Sequence, residues 1–166
     1  MSQPIRILVL CTGNSARSIL GEVLINDLGG GRFEAWSAGS QPAGRVNPGA
    51  LAKLEREGHA TRGLSSKSWD AFAEAGAPAM DIVITVCDNA AGESCPAWHG
   101  SPVRIHWGIA DPAAAPPEQR DAAFDRAYEQ LRARVEAMLE VPLEDLDTRQ
   151  RKDALERIHD AIAAST

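Results

Sequence analysis

Apolar runs alternate with helix-period segments along most of this chain. Apolar-rich runs predict strands over 5–10, 33–37, 82–86 and 103–106. Apolar positions three and four apart predict helices over 18–28, 48–57, 69–75, 117–140 and 148–163. Strand and helix in alternation argue for an α/β fold with a parallel sheet, and continuous apolar strands fit burial on both faces. Asn47-Pro48 reads as a helix start, with Asn as N-cap and Pro in the first turn, and Gly58 closes that helix. Phe124, Tyr128, Leu131, Val135 and Leu139 recur at helical spacing and read as core packing. Pro142 breaks that helix. Leu155, Ile158 and Ile162 share one face of the last helix, which is expected to pack back on the domain, the alternative being a dimer contact. Residues 1–166 read as one domain with a helical tail over about 142–166.

Composition narrows the function. A formal net charge of −6 argues against nucleic acid as a partner. The sequence has no apolar run of the roughly eighteen residues that a membrane span needs. Met1-Ser2-Gln3-Pro4 leads straight into the first strand and leaves no room for a signal peptide, so a cytoplasmic location is expected. Cys11, Cys87 and Cys95 would be reduced there, as catalytic, redox-active, metal-binding or inert thiols.

The most informative stretch is Cys11-Thr-Gly-Asn-Ser-Ala-Arg17-Ser18, between the first strand and the first helix. Free N–H groups of such a turn and of the helix N-terminus carry partial positive charge and converge on one spot. Thr12, Gly13, Asn14, Ser15 and Ala16 would line an oxyanion pocket, and Arg17 can fork two donors onto a tetrahedral oxyanion. Gly13 is expected to supply a positive φ or to let the backbone approach a ligand closely. The same field should hold Cys11 as a thiolate nucleophile. Ser18 could reach the Cys11 sulfur or cap the helix. Both Cys11 and Cys87 directly follow strands, so one edge of the sheet should carry them. From residues alone, Asp111 before Pro112 reads as a turn former. Cys87 and Cys95 are open to a metal site, to two unrelated thiols or to a redox pair; the metal reading fails on ligand count.

Further segments carry a resemblance. With the Cys11–Ser18 loop stand Ser37-Ala38-Gly39, Val46-Asn47-Pro48, Thr85-Val86-Cys87-Asp88, Cys95-Pro96, His106-Trp107-Gly108 and Asp111-Pro112. Together they resemble the arsenate reductases built on the low-molecular-weight tyrosine phosphatase fold. The resemblance implies a four-stranded parallel sheet flanked by helices. It implies Asp111 as general acid, arsenate as substrate, no cofactor, and a relay in which Cys87 and then Cys95 carry a disulfide away from Cys11. Thioredoxin would be the reductant, with glutaredoxin and glutathione as the other route. The segment between Cys87 and Gly100 would have to rearrange, with Gly92 helping and Pro96 limiting the bend. A phosphatase acting on phosphotyrosine or a small phosphoester is the alternative, since it needs only Cys11, Arg17 and Asp111.

This chain also departs from its likenesses. Ala16 stands where many relatives carry a second loop cysteine, and Ala113 where phosphatases place an aromatic after Asp-Pro. Asn14, Glu22 and Ser37 match three of four ligands for a monovalent cation in some relatives, while the fourth position holds Lys67. The lysine ammonium is expected either to supply that charge itself, beside Glu22 or Ser37, or to be merely solvated.

Overall fold

The computed structural model describes residues 3–87 and 98–164. Four strands, β1 (Ile5–Leu10), β2 (Phe33–Ala38), β3 (Ile82–Thr85) and β4 (Val103–His106), form one sheet in the order β2-β1-β3-β4. Every pairing is parallel. All four strands therefore deliver their C-terminal ends to one edge, where ligands of such sheets bind. The helices are α1 (Arg17–Gly29), α2 (Pro48–Arg56), α3 (Arg120–Leu139) and α4 (Thr148–Ala164). The sheet with flanking helices is the architecture expected from the sequence.

Alternation along β1 divides the core, because successive side chains leave a strand on opposite faces. Ile5, Ile7 and Val9 join the larger cluster with α1, α2, α3 and Leu155 of α4. Leu8 and Leu10 join the smaller one with Trp69, Phe72, Met80, Val83 and Trp98. The stripe of α3 is core, as its spacing predicted: Phe124, Tyr128, Leu131 and Val135 are each 1% exposed. The last helix packs back on the domain, with Leu155 buried and Ile158 against the larger cluster.

The expected helix over 69–75 is a correction. Only Trp69–Phe72 forms, as a single 3₁₀ turn with Ser68 accepting from the Asp70 N–H. Side chains three apart eclipse in a 3₁₀ turn. That spacing lets Trp69 and Phe72 enter the smaller cluster together. The residues 117–119 make a separate 3₁₀ turn ahead of α3. The predicted start of α2 is observed: Asn47 accepts from the Gly49 N–H at 2.8 Å and Pro48 occupies the first turn. Gly58 follows at φ 84°.

The Asn47 cap has a measurable value. Asn47→Ala removes the acceptor while the backbone stays, and is expected to destabilise the protein by about 1 kcal/mol. Urea unfolding of the two proteins checks this.

Candidate active site

The loop between β1 and α1 is turned inside out by its neighbours. The Thr12 carbonyl accepts from Gln41 N, the Gly13 carbonyl from Ala43 N and Ser66 Oγ, and the Ser15 carbonyl from Asn47 N. In a planar trans peptide the C=O of one residue and the N–H of the next point in opposite directions. With these three carbonyls held outward, the N–H groups of Gly13, Asn14 and Ala16 face inward. Ala16, the N-cap of α1, offers no side-chain cap. The first amides of α1 therefore stay open to an anion. The cleft they border, about 230 Å³, is lined by Cys11, Thr12, Gly13, Ser15, Ala16, Arg17, Cys87, Asp111 and Ala113.

The left-handed turn falls on Asn14, at φ 43°, and not on Gly13 as expected. Asparagine tolerates this conformation because its side chain bonds locally. Asn14 is fully buried; its Oδ1 accepts from the Lys67 N–H at 2.7 Å and its Nδ2 donates to Ser18 Oγ at 2.8 Å. Ser18 is buried behind the loop and its hydroxyl accepts this bond. A close approach of backbone to backbone occurs at Gly39, at the end of β2. A Cβ there would sit 2.5 Å from the Cys11 carbonyl and 2.4 Å from that of Thr12.

Cys11 and Cys87 are both buried. A hydrogen bond with Cys87 and burial push the Cys11 thiol above its ordinary range; Arg17 and the Gly13 N–H pull the other way. Cys87 also accepts from the Thr12 N–H at 3.3 Å, and the Thr12 hydroxyl lies 3.5 Å from its sulfur. One amide of the loop is thereby spent on the second cysteine. Cys95 and the rest of the segment between 88 and 97, including Gly92 and Pro96, lie outside the described residues.

Arg17 Nη1 donates to the Ile109 carbonyl at 3.0 Å, and Nη2 stands 3.8 Å from Asp111 Oδ2. Arg17 Nε is buried and makes no hydrogen bond among the described residues. An orphaned charged donor on an arginine that lines a cleft points to an oxyanion partner. Asp111 fills the turn role read from the sequence: Oδ1 accepts from Ala113 N and starts a turn at Pro112, and the residue also lines the cleft.

Behind the loop, Ser37 Oγ donates to Glu22, and Lys67 Nζ stands 3.8 Å from Glu22 Oε1 while donating to the Ser65 carbonyl. Burial raises the Glu22 carboxyl above its ordinary range, with the Ser37 bond and Lys67 opposing. Burial likewise lowers the Lys67 ammonium. The sequence reading that put Lys67 beside Glu22 matches this placement.

A parallel sheet with a cysteine–arginine oxyanion loop at its C-terminal edge defines a class, and the relatives agree. Residues 6–152 match the family described as low molecular weight phosphotyrosine protein phosphatase, and the chain belongs to that family. Within it, an arsenate reductase of Halalkalibacterium halodurans is 33% identical over 136 residues, covering 81% of this chain and 94% of the relative. An arsenate reductase of Bacillus subtilis is 32% identical over the same coverage. Among solved structures, an arsenate reductase in the phosphate binding state superposes with a TM-score of 0.66 at 27% identity, covering 81% of this chain and 96% of the other. The tyrosine phosphatase Wzb of Escherichia coli K30, in complex with sulphate, shares the fold with a TM-score of 0.64 at 24% identity, over 81% and 96% of the two chains.

Two outcomes are expected from this geometry. Cys87→Ala removes the hydrogen bond that raises the Cys11 thiol, so the midpoint of Cys11 alkylation should move to lower pH; rates with iodoacetamide across pH measure it. Lys67→Met acts through Glu22. A carboxyl raised in the folded state takes up its proton earlier on folding, so stability rises as pH falls through the folded pKa. Lys67 offsets the burial of Glu22 only while Glu22 is charged. The variant should lose stability at about pH 8, and the loss should shrink toward about pH 5, in urea unfolding.

Proposed function

We propose that this protein reduces arsenate to arsenite, with Cys11 as nucleophile. The observation that carries the reading is the pairing of Cys87 with Cys11 inside an oxyanion cleft, which a hydrolase does not need. Arsenate would lie against the Gly13, Asn14 and Ala16 amides and Arg17. The Cys11 thiolate attacks arsenic, an As–O bond breaks, and Asp111 protonates the leaving oxygen so that it departs as water. Attack on arsenic breaks the contact with Cys87 that holds the Cys11 proton. The Cys87 thiolate then attacks Cys11 Sγ. The S–As bond breaks with its electron pair going to arsenic, which leaves as arsenite, and a Cys11–Cys87 disulfide remains. Cys95 attacks Cys87 and frees Cys11. A dithiol protein of the thioredoxin class reduces the resulting Cys87–Cys95 disulfide; glutaredoxin with glutathione is the other route. The cycle uses no metal and no organic cofactor. Arsenate and the reductant are its partners, and the cytoplasm, where thiols are kept reduced, is the compartment it fits. No helix among the described residues is long and apolar enough to cross a membrane.

The phosphatase reading is disfavoured by Ala113, which leaves the mouth of the cleft without an aromatic wall for a phenyl ester. The deciding assay follows arsenite release with thioredoxin, thioredoxin reductase and NADPH, beside hydrolysis of a phenyl phosphate. Cys11→Ser should abolish both activities. Cys95→Ser should release about one arsenite per protein molecule, stop, and trap a Cys11–Cys87 disulfide. Normal cycling by Cys95→Ser with thioredoxin would exclude this relay, and phosphoester turnover without arsenite release would favour the hydrolase.

A further inference from the structure

The residue that fixes Arg17 hangs on the last helix. Trp107 leaves β4, an edge strand, and is 1% exposed. Its indole Nε1 donates to the Leu155 carbonyl of α4 at 2.9 Å. Two residues on, the Ile109 carbonyl accepts from Arg17 Nη1 at 3.0 Å. Between these points the backbone is tied to β3 and the residue after it, Trp107 N to the Thr85 carbonyl at 2.7 Å and Ile109 N to that of Val86 at 3.1 Å. The helix itself is held from two sides. Leu155 is fully buried, and Arg134 of α3, 2% exposed, donates from Nε to His159 Nδ1 at 3.1 Å. The Arg151 guanidinium closes onto the Leu143 carbonyl at 2.8 Å.

Leu155 and His159 lie beyond residue 152, where the match to the family ends. The arsenate reductase of H. halodurans is covered over 94% of its own length by 81% of this chain. Most of α4 is therefore outside the region this chain shares with its family, yet it supplies the acceptor for a buried indole next to the site. A buried Trp N–H needs such an acceptor, and a helix carbonyl has a second lone pair to give it. Without α4 that donor would be orphaned on an edge strand, with the usual penalty for an unsatisfied buried group.

We propose that α4 is a positioning element for oxyanion binding: through the Leu155–Trp107 hydrogen bond it fixes the 107–109 segment, and through the Ile109 carbonyl it fixes Arg17. Trp107 is a positioning residue in this arrangement, since it touches neither the cleft nor the anion. The proposal rests on the reading of the Cys11–Arg17 loop as an oxyanion site, and its test separates the two.

Inorganic phosphate is the probe, titrated calorimetrically into the full-length reduced protein. Trp107→Phe keeps an aromatic ring and loses the donor. Its phosphate dissociation constant should rise about tenfold, and the KM for arsenate should rise with it. The Arg17 Nε–H resonance, identified by its loss in Arg17→Lys, should shift in Trp107→Phe without ligand. Phe33→Leu, at the opposite end of the sheet, serves as the control for lost stability and should leave both the affinity and the resonance in place. A chain ending at Asp147 should lose the same affinity; if it does not fold, Trp107→Phe decides alone. Equal phosphate affinity in wild type and Trp107→Phe, with an unmoved Arg17 resonance, overturns the proposal. So does an equal weakening in Phe33→Leu. A wild-type protein that does not bind phosphate overturns the oxyanion reading instead.

Discussion

Everything at this site follows from where three carbonyls point. The Thr12, Gly13 and Ser15 oxygens are each held on the outside of the loop by the chain that follows β2. Peptide planarity converts that restraint into three amides aimed at one centre. The loop thus needs no charged residue of its own to attract an anion; Arg17 adds to a field that the backbone already sets. It also explains the tight seam at Gly39, where β2 ends directly against the Cys11 and Thr12 carbonyls and any side chain would force the loop to open. The residues of the loop are contiguous, but those that orient them are scattered over positions 39 to 67.

The chemistry divides between two sulfurs in one field. Cys11 gains from Arg17 and the Gly13 amide, and loses to burial and to Cys87. Cys87 takes the Thr12 amide. A hydrolase would gain nothing from a second thiol that competes with its nucleophile. A two-electron reductase needs that thiol within reach of the first. Family membership is common to both activities, so the pair of sulfurs, with the small Ala113 wall, is what separates them in this chain.

Much of this was legible in the sequence. The strands are rich in apolar residues because the sheet is covered, with exposed Glu34 and Arg104 confined to the edge strands, and the Cys11–Arg17 spacing with its strand and helix flanks located the cleft. The failures have physical causes. The 69–75 segment has helical spacing for one turn only, and the Trp69–Phe72 pair fits a 3₁₀ turn equally well. The positive φ went to Asn14 because a buried asparagine can pair with both Lys67 and Ser18, which glycine cannot do. Gly39 was invisible as a steric requirement because its neighbours are distant in sequence. The weight of Cys87 on the Cys11 proton depends on a contact across 76 positions, which no local pattern encodes. The tail was expected to pack on the domain, but the indole of Trp107 gives no sign in the sequence of which carbonyl it will find.

The bond from the Thr12 amide to Cys87 gives the resting cleft an internal tenant. In the proposed cycle an oxyanion arriving at the loop meets a sulfur already seated on one of its amides. The Gly13, Asn14 and Ala16 amides and Arg17 are left for the anion, while the Thr12 amide keeps the second thiol parked. The sulfur next required as a nucleophile is thus stored beside the one it must attack, and no separate element has to deliver it.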